Sequence, residues 1–310
     1  MPLSINTNHA AVKASLNLSR NQDLLTKSMN RLASGKRIID TSDDAGGLAI
    51  AMKLNSSIER LAGVKSNVKN ATSYLDVQDG ILQGAAGIIE RMSELKSLSQ
   101  DVLKNSADID TYNTEFKNLQ VQLYQMSREK FNGVSLFATT TERNGSTNAV
   151  FSENNSTTDN TVSIFTTEGG ATGPKVSLHK ALLLSSITFD QNDVTTNKAW
   201  GATGVKTLAA SISGDTKSLS EFTTSFFSQA VENIAALRAQ NGGTMSRLDF
   251  ALGNIDLTKS NLEASYGQIM DVDIAAESTL LAKYQILVQA SASMLAQANM
   301  TPNAAMMLIG

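Results

Sequence analysis

Apolar residues recur along this chain at the seven-residue spacing that is typical of long packed helices. One row comprises Leu18, Leu25 and Leu32, and a longer row comprises Leu54, Leu61, Val68, Leu75, Leu82 and Ile89. A heptad row forms a seam that another helix must cover. The pattern therefore predicts two long helices that each pack against a partner, and we call the longer row the rod seam.

A further helix and a β-hairpin are predicted after the rod seam. Apolar residues alternate between three- and four-residue spacing from Ile109 to Met126, and Asp108 or Asp110 is placed to cap the start of that helix. The stretch "KFNGVSLF" then holds Asn-Gly between apolar residues, which is the strongest short-range hairpin signal. The amino-terminal helical half is therefore expected to end in a β-turn within 131–137.

Residues 138–214 have a different composition, in which Thr, Ser, Asn and Gly dominate. The stretch "TVSIFTT" alternates with period two, and "EGGATGPK" is a cluster of turn-forming residues. These features predict a small insert, β-rich or irregular, at the protein surface. The density of Ser and Thr leaves two interpretations open, which are a glycosylated surface and a plain solvated β-domain.

Helical spacing resumes at Leu219, and the last helix is apolar on more than one face. One row comprises Ile274, Leu281, Val288 and Leu295, and the row beside it comprises Leu280, Leu287 and Met294. No Asp, Glu, Lys or Arg occurs between Tyr284 and Gly310, yet polar residues such as Gln285 interrupt the apolar run too often for a membrane span. A helix that is apolar nearly all round must be buried nearly all round, and the short amino-terminal row cannot cover both of these rows. We call these two rows, together with the amino-terminal row of Leu18, Leu25 and Leu32, the terminal rows. We expect neighbouring copies of the chain to complete their burial.

The patterns together predict a mainly α fold with long antiparallel coiled-coil helices formed by both chain ends and a small β-rich central insert. Three domains follow from the breaks in the pattern. They are a discontinuous terminal coiled-coil domain of residues 1–44 and 271–310, a discontinuous helical rod domain with a β-hairpin of residues 45–137 and 215–270, and a variable, surface-exposed outer domain of residues 138–214.

Composition and charge exclude several classes of protein. The 310 residues carry 26 basic and 29 acidic side chains, so the net charge of -3 gives no basic surface for nucleic acid. The chain has no cysteine, which removes disulfide and thiolate chemistry. The start, "MPLSINTNHAAVKASLNLSR", lacks the charged and then apolar regions of a Sec signal peptide. If the protein leaves the cell, we expect it to use another route.

No constellation of residues in the sequence predicts catalysis. Histidine occurs only twice, and "GGATGPKVS" differs from a phosphate-binding loop because proline separates its last glycine from the lysine. Asp43 with Asp44, and Asp271 with Asp273, are acidic pairs that we interpret as helix caps rather than as metal ligands or an acid and base pair. We therefore predict no enzyme activity, no cofactor and no metal.

Two quoted stretches carry a family likeness. "INTNHAAVKASLNLSRNQDLLTKSMNRLASGKRIIDTSDDAGGLAIAMKL" and "QASASMLAQANMTPNAAMMLIG" resemble the two ends of bacterial flagellin, and the likeness extends over residues 1–137 and 215–310, including "RLASGKRI", "DDAGG", "FNG" and "MLAQAN". The resemblance implies a structural subunit that polymerises into the flagellar filament for motility. It implies that the terminal rows form the inner-core polymerisation interface.

The resemblance also implies partners and a location. They are other copies of the chain, an export chaperone, the filament cap and the hook-junction proteins, with secretion through the flagellar type III apparatus into the extracellular filament. Two alternatives remain open. One is a hook-filament junction protein, and the other is a secreted enzyme or adhesin that uses the helices only as a carrier.

The resemblance finally implies a surface for the vertebrate Toll-like receptor that binds flagellin. The stretch "IERMSEL" resembles the motif of responsive flagellins and places Arg91 and Leu95 at its receptor-binding positions, with Glu115 as the third residue of the patch. Ser93 replaces the second arginine of the motif, and Lys96 follows where a small residue is usual. We expect a weakened receptor response, and the alternative is that the charges are simply solvated or contact neighbouring subunits.

Overall fold

The computed structural model describes residues 8–138, 150–151 and 161–309, with side chains described as far as residue 300. Six α-helices lie in these ranges: α1 (His9–Ser34), α2 (Ala45–Ser99), α3 (Ser106–Met126), α4 (Leu183–Ser186), α5 (Thr224–Met270) and α6 (Ile274–Ile309). Six β-strands accompany them: β1 (Lys130–Phe131), β2 (Val134–Ser135), β3 (Thr161–Phe165), β4 (Lys175–His179), β5 (Thr188–Asp190) and β6 (Val205–Thr207). The prediction of a mainly α fold with a small strand-containing central region is confirmed.

The chain divides into two compact units. The first unit comprises Met1–Glu59 with Thr258–Gly310, and the second comprises Arg60–Leu257. The breaks between α1 and α2 and between α5 and α6 fall where the terminal domain was predicted to end. The division into three domains stays a prediction.

The first unit contains α1, α6 and the ends of α2 and α5 that lie next to the helix breaks. Its small apolar core joins Ile38, Ala51 and Met270, each between 1% and 5% exposed. Leu48 and Tyr266 pack against this core. Ile38 lies in the loop between α1 and α2, so burying its side chain fixes that loop against both long helices.

The second unit contains α3, the strands and most of α2 and α5. Asn241 on α5 donates a buried hydrogen bond to the Leu75 carbonyl on α2 at 3.0 Å, and Arg238 holds Asp79 through two contacts of 2.9 and 3.0 Å. Because the residue numbers run in opposite directions, α2 and α5 are antiparallel here, as predicted.

Local sequence signals explain the start of α3 and the hairpin that follows. Asn105 caps α3 by accepting the Asp108 amide at 2.9 Å, while the Asp108 carboxylate accepts the Asn105 amide at 3.3 Å. The N-cap is therefore Asn105 rather than Asp108 or Asp110, because Asn105 directly precedes the first helical turn, and Asp108 contributes as the third residue of a capping box. In the hairpin, Asn132 and Gly133 have φ values of 49° and 80°, which suit a type I′ turn, and the predicted hairpin is confirmed.

The predicted insert contains two short antiparallel sheets. β3 pairs with β4 from Thr161 opposite His179 to Phe165 opposite Lys175, so the "EGGATGPK" stretch connects two paired strands as its turn residues predict. β5 pairs with β6, and α4 directly precedes β5. The described part of the insert is therefore built from small paired strands.

Part of the insert belongs to the hydrophobic core of the second unit. Residues 181–189 and 208–210 are buried, and Phe189 is 0% exposed with its ring 4.6 Å from that of Phe226 on α5. The prediction of a surface-exposed outer domain over 138–214 does not hold for these residues, because the apolar run "ALLLSSITF" gains more by packing on the long helices than by exposure. Phe189 joins a cluster of fully buried rings that comprises Phe116, Phe189, Phe222, Phe226 and Phe227.

Candidate assembly surface

Helices α1 and α6 lie side by side and antiparallel in the first unit. Asn8, which caps α1, donates to the Ala298 carbonyl at 2.7 Å, and Asn21 donates to the Ser291 hydroxyl at 2.8 Å. Each asparagine replaces hydration of a helix surface by a side-chain bond to the partner helix. These polar contacts fix the register of the pair.

The side chains that this helix pair buries most fully are polar. Ser28 is 2% exposed and Glu277 is 7% exposed, and the Ser28 hydroxyl donates to the Glu277 carboxylate at 2.6 Å. No apolar side chain of α1 or of α6 up to residue 300 is buried to the same degree. Within one chain, the pair therefore leaves the burial of its apolar side chains incomplete.

The terminal rows lie on this partly exposed surface of the helix pair. Eight of their members are half-buried: Leu18, Leu25, Leu32, Leu280, Leu281, Leu287, Val288 and Leu295. The other two, Ile274 and Met294, are 66% and 65% exposed. Both rows of α6 are thus partly covered along most of the helix, and neither is covered completely.

Further apolar side chains of the pair are exposed and were not predicted as site residues. They are Val12, Leu16, Leu24, Met29, Ile286 and Met300, each between 41% and 68% exposed. These residues lie outside the heptad rows, so a search for one seam passes over them. For the two on α6, Ile286 and Met300, the signal that could have found them is the scarcity of charge on that helix, since an uncharged surface needs a second cover.

The turn after α1 joins the two helix breaks of the first unit. Gly35 ends α1 with φ of 69°, and Lys36 forms a β-bridge with Asp271. Arg37 donates from its guanidinium to the Ile269 carbonyl at 2.9 and 3.2 Å, which satisfies an end of α5 that has no intrahelical partner. The sequence "SGKRI" therefore joins the loop after α1 to the end of α5 and the break that follows it.

The motif "DDAGG" builds the start of α2. Asp44 accepts the Gly47 amide at 2.8 Å and so caps the helix. A Cβ on Gly47 would lie 2.9 Å from both the Asp44 carboxyl carbon and the Ile38 Cδ1, so only glycine fits without displacing the cap. Asp273 caps α6 in the same way by accepting the amides of 275–276 at 2.9 and 3.1 Å. The interpretation of Asp44 and Asp273 as helix caps is confirmed.

Asp43 is the centre of a charged cluster between α1, the following loop and α6. Its carboxylate pairs with Lys27 and accepts the Ile39 amide at 3.2 Å. The hydrogen bond from Lys27 lowers the pKa of Asp43 from 3.8 to about 2. Arg31 lies 3.8 Å from Asp43 and 3.9 Å from Glu277, so it links the loop to the buried polar pair of α1 and α6.

Comparison with known proteins matches both helical ends of the chain. Residues 5–142 match the bacterial flagellin N-terminal helical region, and residues 224–309 match the bacterial flagellin C-terminal helical region. A flagellin of Listeria innocua serovar 6a is 30% identical over 308 residues, which cover 99% of this chain and 99% of that protein. The chain belongs to the bacterial flagellin family. The resemblance seen in the sequence is confirmed.

Two further relatives have the same extent as this flagellin chain. The flagellin of Bacillus subtilis strain 168 is 29% identical and covers 99% of this chain and 100% of its own length. The flagellar filament 33 kDa core protein of Treponema phagedenis is 27% identical and covers 98% of this chain and 99% of its own length. The similarity therefore spans the central insert as well as the helical ends.

The rod seam of this flagellin is buried along most of α2. Leu61, Val68, Leu75, Leu82 and Ile89 are between 0% and 3% exposed, while Leu54 is half-buried. Tyr74 and Gln78 lie beside the seam, and they donate to the carbonyls of Ser135 at 2.9 Å and Leu136 at 2.5 Å. Burial raises the pKa of Tyr74 to about 12, so this phenol remains a donor at any physiological pH.

The predicted receptor patch needs a correction. Arg91 donates to both carboxylate oxygens of Glu115 at 2.8 and 3.2 Å, so these two residues do share a surface. Leu95 is 0% exposed, and including it in a surface patch was wrong because its side chain is buried in the core. Lys96 is also turned inward, where it donates to the Leu219 carbonyl at 3.1 Å and where burial lowers its pKa.

The uncharged tail belongs to α6, and its apolar character raises the possibility of a membrane span. Along the described stretches of the chain, each helix falls short of the combined length and hydropathy that a bilayer crossing requires.

Proposed function

We propose that this flagellin is the structural subunit of a bacterial flagellar filament and that α1 and α6 make the contacts between copies. The Treponema phagedenis relative bears the name of a filament core protein, and both chains extend over nearly the same sequence. None of the three relatives reported above is named as a hook-junction protein. This supports the filament subunit over the junction protein.

The observation that carries the proposal is the incomplete burial of the terminal helix pair. Eight apolar side chains of α1 and α6 are between 41% and 68% exposed: Val12, Leu16, Leu24, Met29, Ile274, Ile286, Met294 and Met300. Completing the burial of such a side chain contributes about 1 kcal/mol, so these residues alone offer on the order of 8 kcal/mol per chain before the entropy of association is subtracted. An apolar surface of this extent marks an interaction site.

A filament rather than a closed dimer requires contacts between two different surfaces of the chain. When two different surfaces of one chain meet, each added copy presents a free surface to the next, and the assembly continues unless the rotation closes it. The half-buried terminal rows and the exposed residues outside them give the helix pair more than one apolar face. Several neighbours in the filament therefore share the burial.

The remaining parts of the proposal rest on family membership. We propose secretion without a cleaved signal peptide through the flagellar export apparatus, with an export chaperone, the cap and the hook-junction proteins as partners. The role is structural, without enzyme activity, and the helices are the assembly elements rather than a carrier for a catalytic domain. The charged pair Arg91 and Glu115 is proposed as the part of the receptor patch that is accessible.

Seeded growth of the purified chain tests the filament proposal. Sheared filaments are added to monomer, and we expect long filaments by electron microscopy. Ile286→Asp adds a charge at a side chain that is 65% exposed in one chain, so it should spare folding and cost several kcal/mol when copies bury it. Asn192→Asp adds the same charge at an exposed turn of the insert and is the matched control.

The expected result is that the control grows filaments and Ile286→Asp does not, although both variants are exported by cells. Failure of the unmodified chain to grow from seeds would contradict the proposed function. Normal filaments of Ile286→Asp would show that α6 does not form the contact between copies.

A further inference from the structure

The turn between α2 and α3 presents two large aliphatic side chains to solvent. Val102 is 95% exposed and Leu103 is 92% exposed, the highest values among the exposed large hydrophobic residues in the described part of the chain. Two such side chains at one turn cost solubility and contribute nothing to the fold of their own unit. Their exposure therefore calls for a partner.

Local hydrogen bonds order this turn. The Asp101 carboxylate accepts the Leu103 amide at 3.0 Å, and the Asp101 carbonyl accepts the Lys104 amide at 3.2 Å. Lys104 lies over the Tyr112 ring at 5.9 Å, and Asn105 caps α3 directly afterwards. The turn is thus held on both sides and keeps the two side chains pointing outward, and we call Val102 and Leu103 the apolar knob.

A groove of matching chemistry lies elsewhere on the same unit. It has a volume of about 300 Å³ and lies between α2, the β1–β2 hairpin and the β3–β4 sheet. Its apolar walls include Ala71, Tyr74, Phe131, Val134, Ile164 and Leu178. Among the described residues that line it, none is Asp, Glu, Lys, Arg or His, and the Tyr74 hydroxyl is already bonded to the Ser135 carbonyl. The groove suits uncharged aliphatic side chains and offers no counter-charge to an ionic ligand.

The knob cannot reach the groove of its own chain. Tyr74 and the end of α2 at Ser99 are separated by 25 residues of continuous helix, which is about 38 Å at 1.5 Å per residue. A contact between the two must therefore join different copies. A knob at the end of α2 and a groove near its middle form a heterologous, head-to-tail contact, which can repeat without closing.

We infer that the Val102–Leu103 knob of one copy docks in the Tyr74–Phe131–Val134 groove of the next copy along the assembly. This inference rests on the proposed function, because it takes a second copy of the chain as the occupant. It adds a contact between second units to those made by α1 and α6. Leu103 and Val134, the latter 44% exposed, are the residues we place closest together.

Disulfide cross-linking tests this contact, since the chain has no cysteine of its own. In the double variant Leu103→Cys with Val134→Cys, oxidation of assembled filaments should join each copy to the next and give a ladder of covalent oligomers on a non-reducing gel. A disulfide requires Cα atoms within about 7 Å, so the ladder reports direct docking. Asn70→Cys offers a second groove position if the substitution at Val134 disturbs the hairpin. The matched control is Leu103→Cys with Phe250→Cys, since Phe250 is 74% exposed on the same unit but outside the groove.

A ladder from a groove pair and none from the control supports the inference. No ladder from either groove pair, or an equal ladder from the control, overturns it. If the unmodified chain forms no filaments at all, the proposed function fails instead, and the two failures are therefore distinguishable.

Growth measurements give an independent readout of the same contact. Leu103→Glu and Val134→Lys should each raise the critical concentration for filament growth about tenfold or more, because each places an unpaired charge in an apolar contact. Combined in one chain, the two charges meet at every knob and groove, and growth should recover to within a few fold of the unmodified chain. Additive loss in the double variant would contradict direct contact between the two positions.

Discussion

Replacing Phe189 by alanine tests whether the insert is part of the helical core. Phe189 is 0% exposed in β5, and its ring meets that of Phe226 on α5 at 4.6 Å with the planes at 73°. Truncating a fully buried phenylalanine removes its transfer free energy and leaves a cavity, which together cost about 3 to 5 kcal/mol. A surface module that merely rests on the helices would lose far less.

Urea unfolding of the monomer measures this cost. The chain has a single tryptophan, Trp200, which stacks on Tyr124 of α3 at 5.7 Å, so its fluorescence reports on the second unit. We expect Phe189→Ala to lower the free energy of unfolding by about 3 to 5 kcal/mol. Phe250→Ala removes the same group from a side chain that is 74% exposed, and it should change the free energy by less than about 0.5 kcal/mol.

Equal effects of the two substitutions, or an unchanged midpoint for Phe189→Ala, would refute the placement of 181–189 in the core. The same reasoning predicts that deleting the whole insert destabilises the second unit. The insert would then be tolerant to change only outside its buried residues.

Three further predictions concern the start of α2, the charged cluster around Asp43 and the receptor patch. Gly47→Ala should destabilise the first unit by about 1 to 2 kcal/mol by displacing the α2 cap, while Gly63→Ala, where a Cβ meets nothing within 4 Å, should stabilise α2 by up to about 1 kcal/mol in thermal melts followed by circular dichroism. The folded pKa of Asp43 lies below its unfolded value, so the stabilisation that its carboxylate contributes is present above pH 3.8 and is lost as the pH falls through about 2. In acid titrations, the difference in free energy of unfolding between the unmodified chain and Asp43→Asn should therefore shrink over that range. Arg91→Ala and Glu115→Ala should each reduce the response of a receptor reporter to monomer, and signalling at the unmodified level by both would remove these residues from the patch.

Long-range periodicity was sufficient to predict the long helices and their seam. Leu61 and Leu82 are members of one heptad row, and both are buried because a seven-residue repeat returns to the same helix face at each step. The Asn132-Gly133 turn was predictable for a local reason, since both residues adopt positive φ at little cost. In these cases the sequence signal and the structural cause are the same.

Tertiary packing decided the features that the sequence did not predict. The run containing Leu183 and Phe189 is too short to show a helical or strand period, and only its contact with the long helices explains its burial. Leu95 was assigned to a surface because "IERMSEL" resembles the receptor motif, yet packing within this chain buries its side chain completely. The apolar knob has no periodicity at all, and its exposure is visible only in the structure.

Thiol labelling in monomer and in filament tests the central claim, that copies of the chain bury the exposed surface of the terminal helices. Ile286→Cys introduces the only thiol of the chain at a side chain that is 65% exposed on α6, and Asn192→Cys introduces one at an exposed turn of the insert. Both cysteines should react with a maleimide at similar rates in the monomer. In the filament, the account predicts that labelling of Ile286→Cys slows at least tenfold while that of Asn192→Cys stays fast, and equally fast labelling of Ile286→Cys in monomer and filament would contradict it.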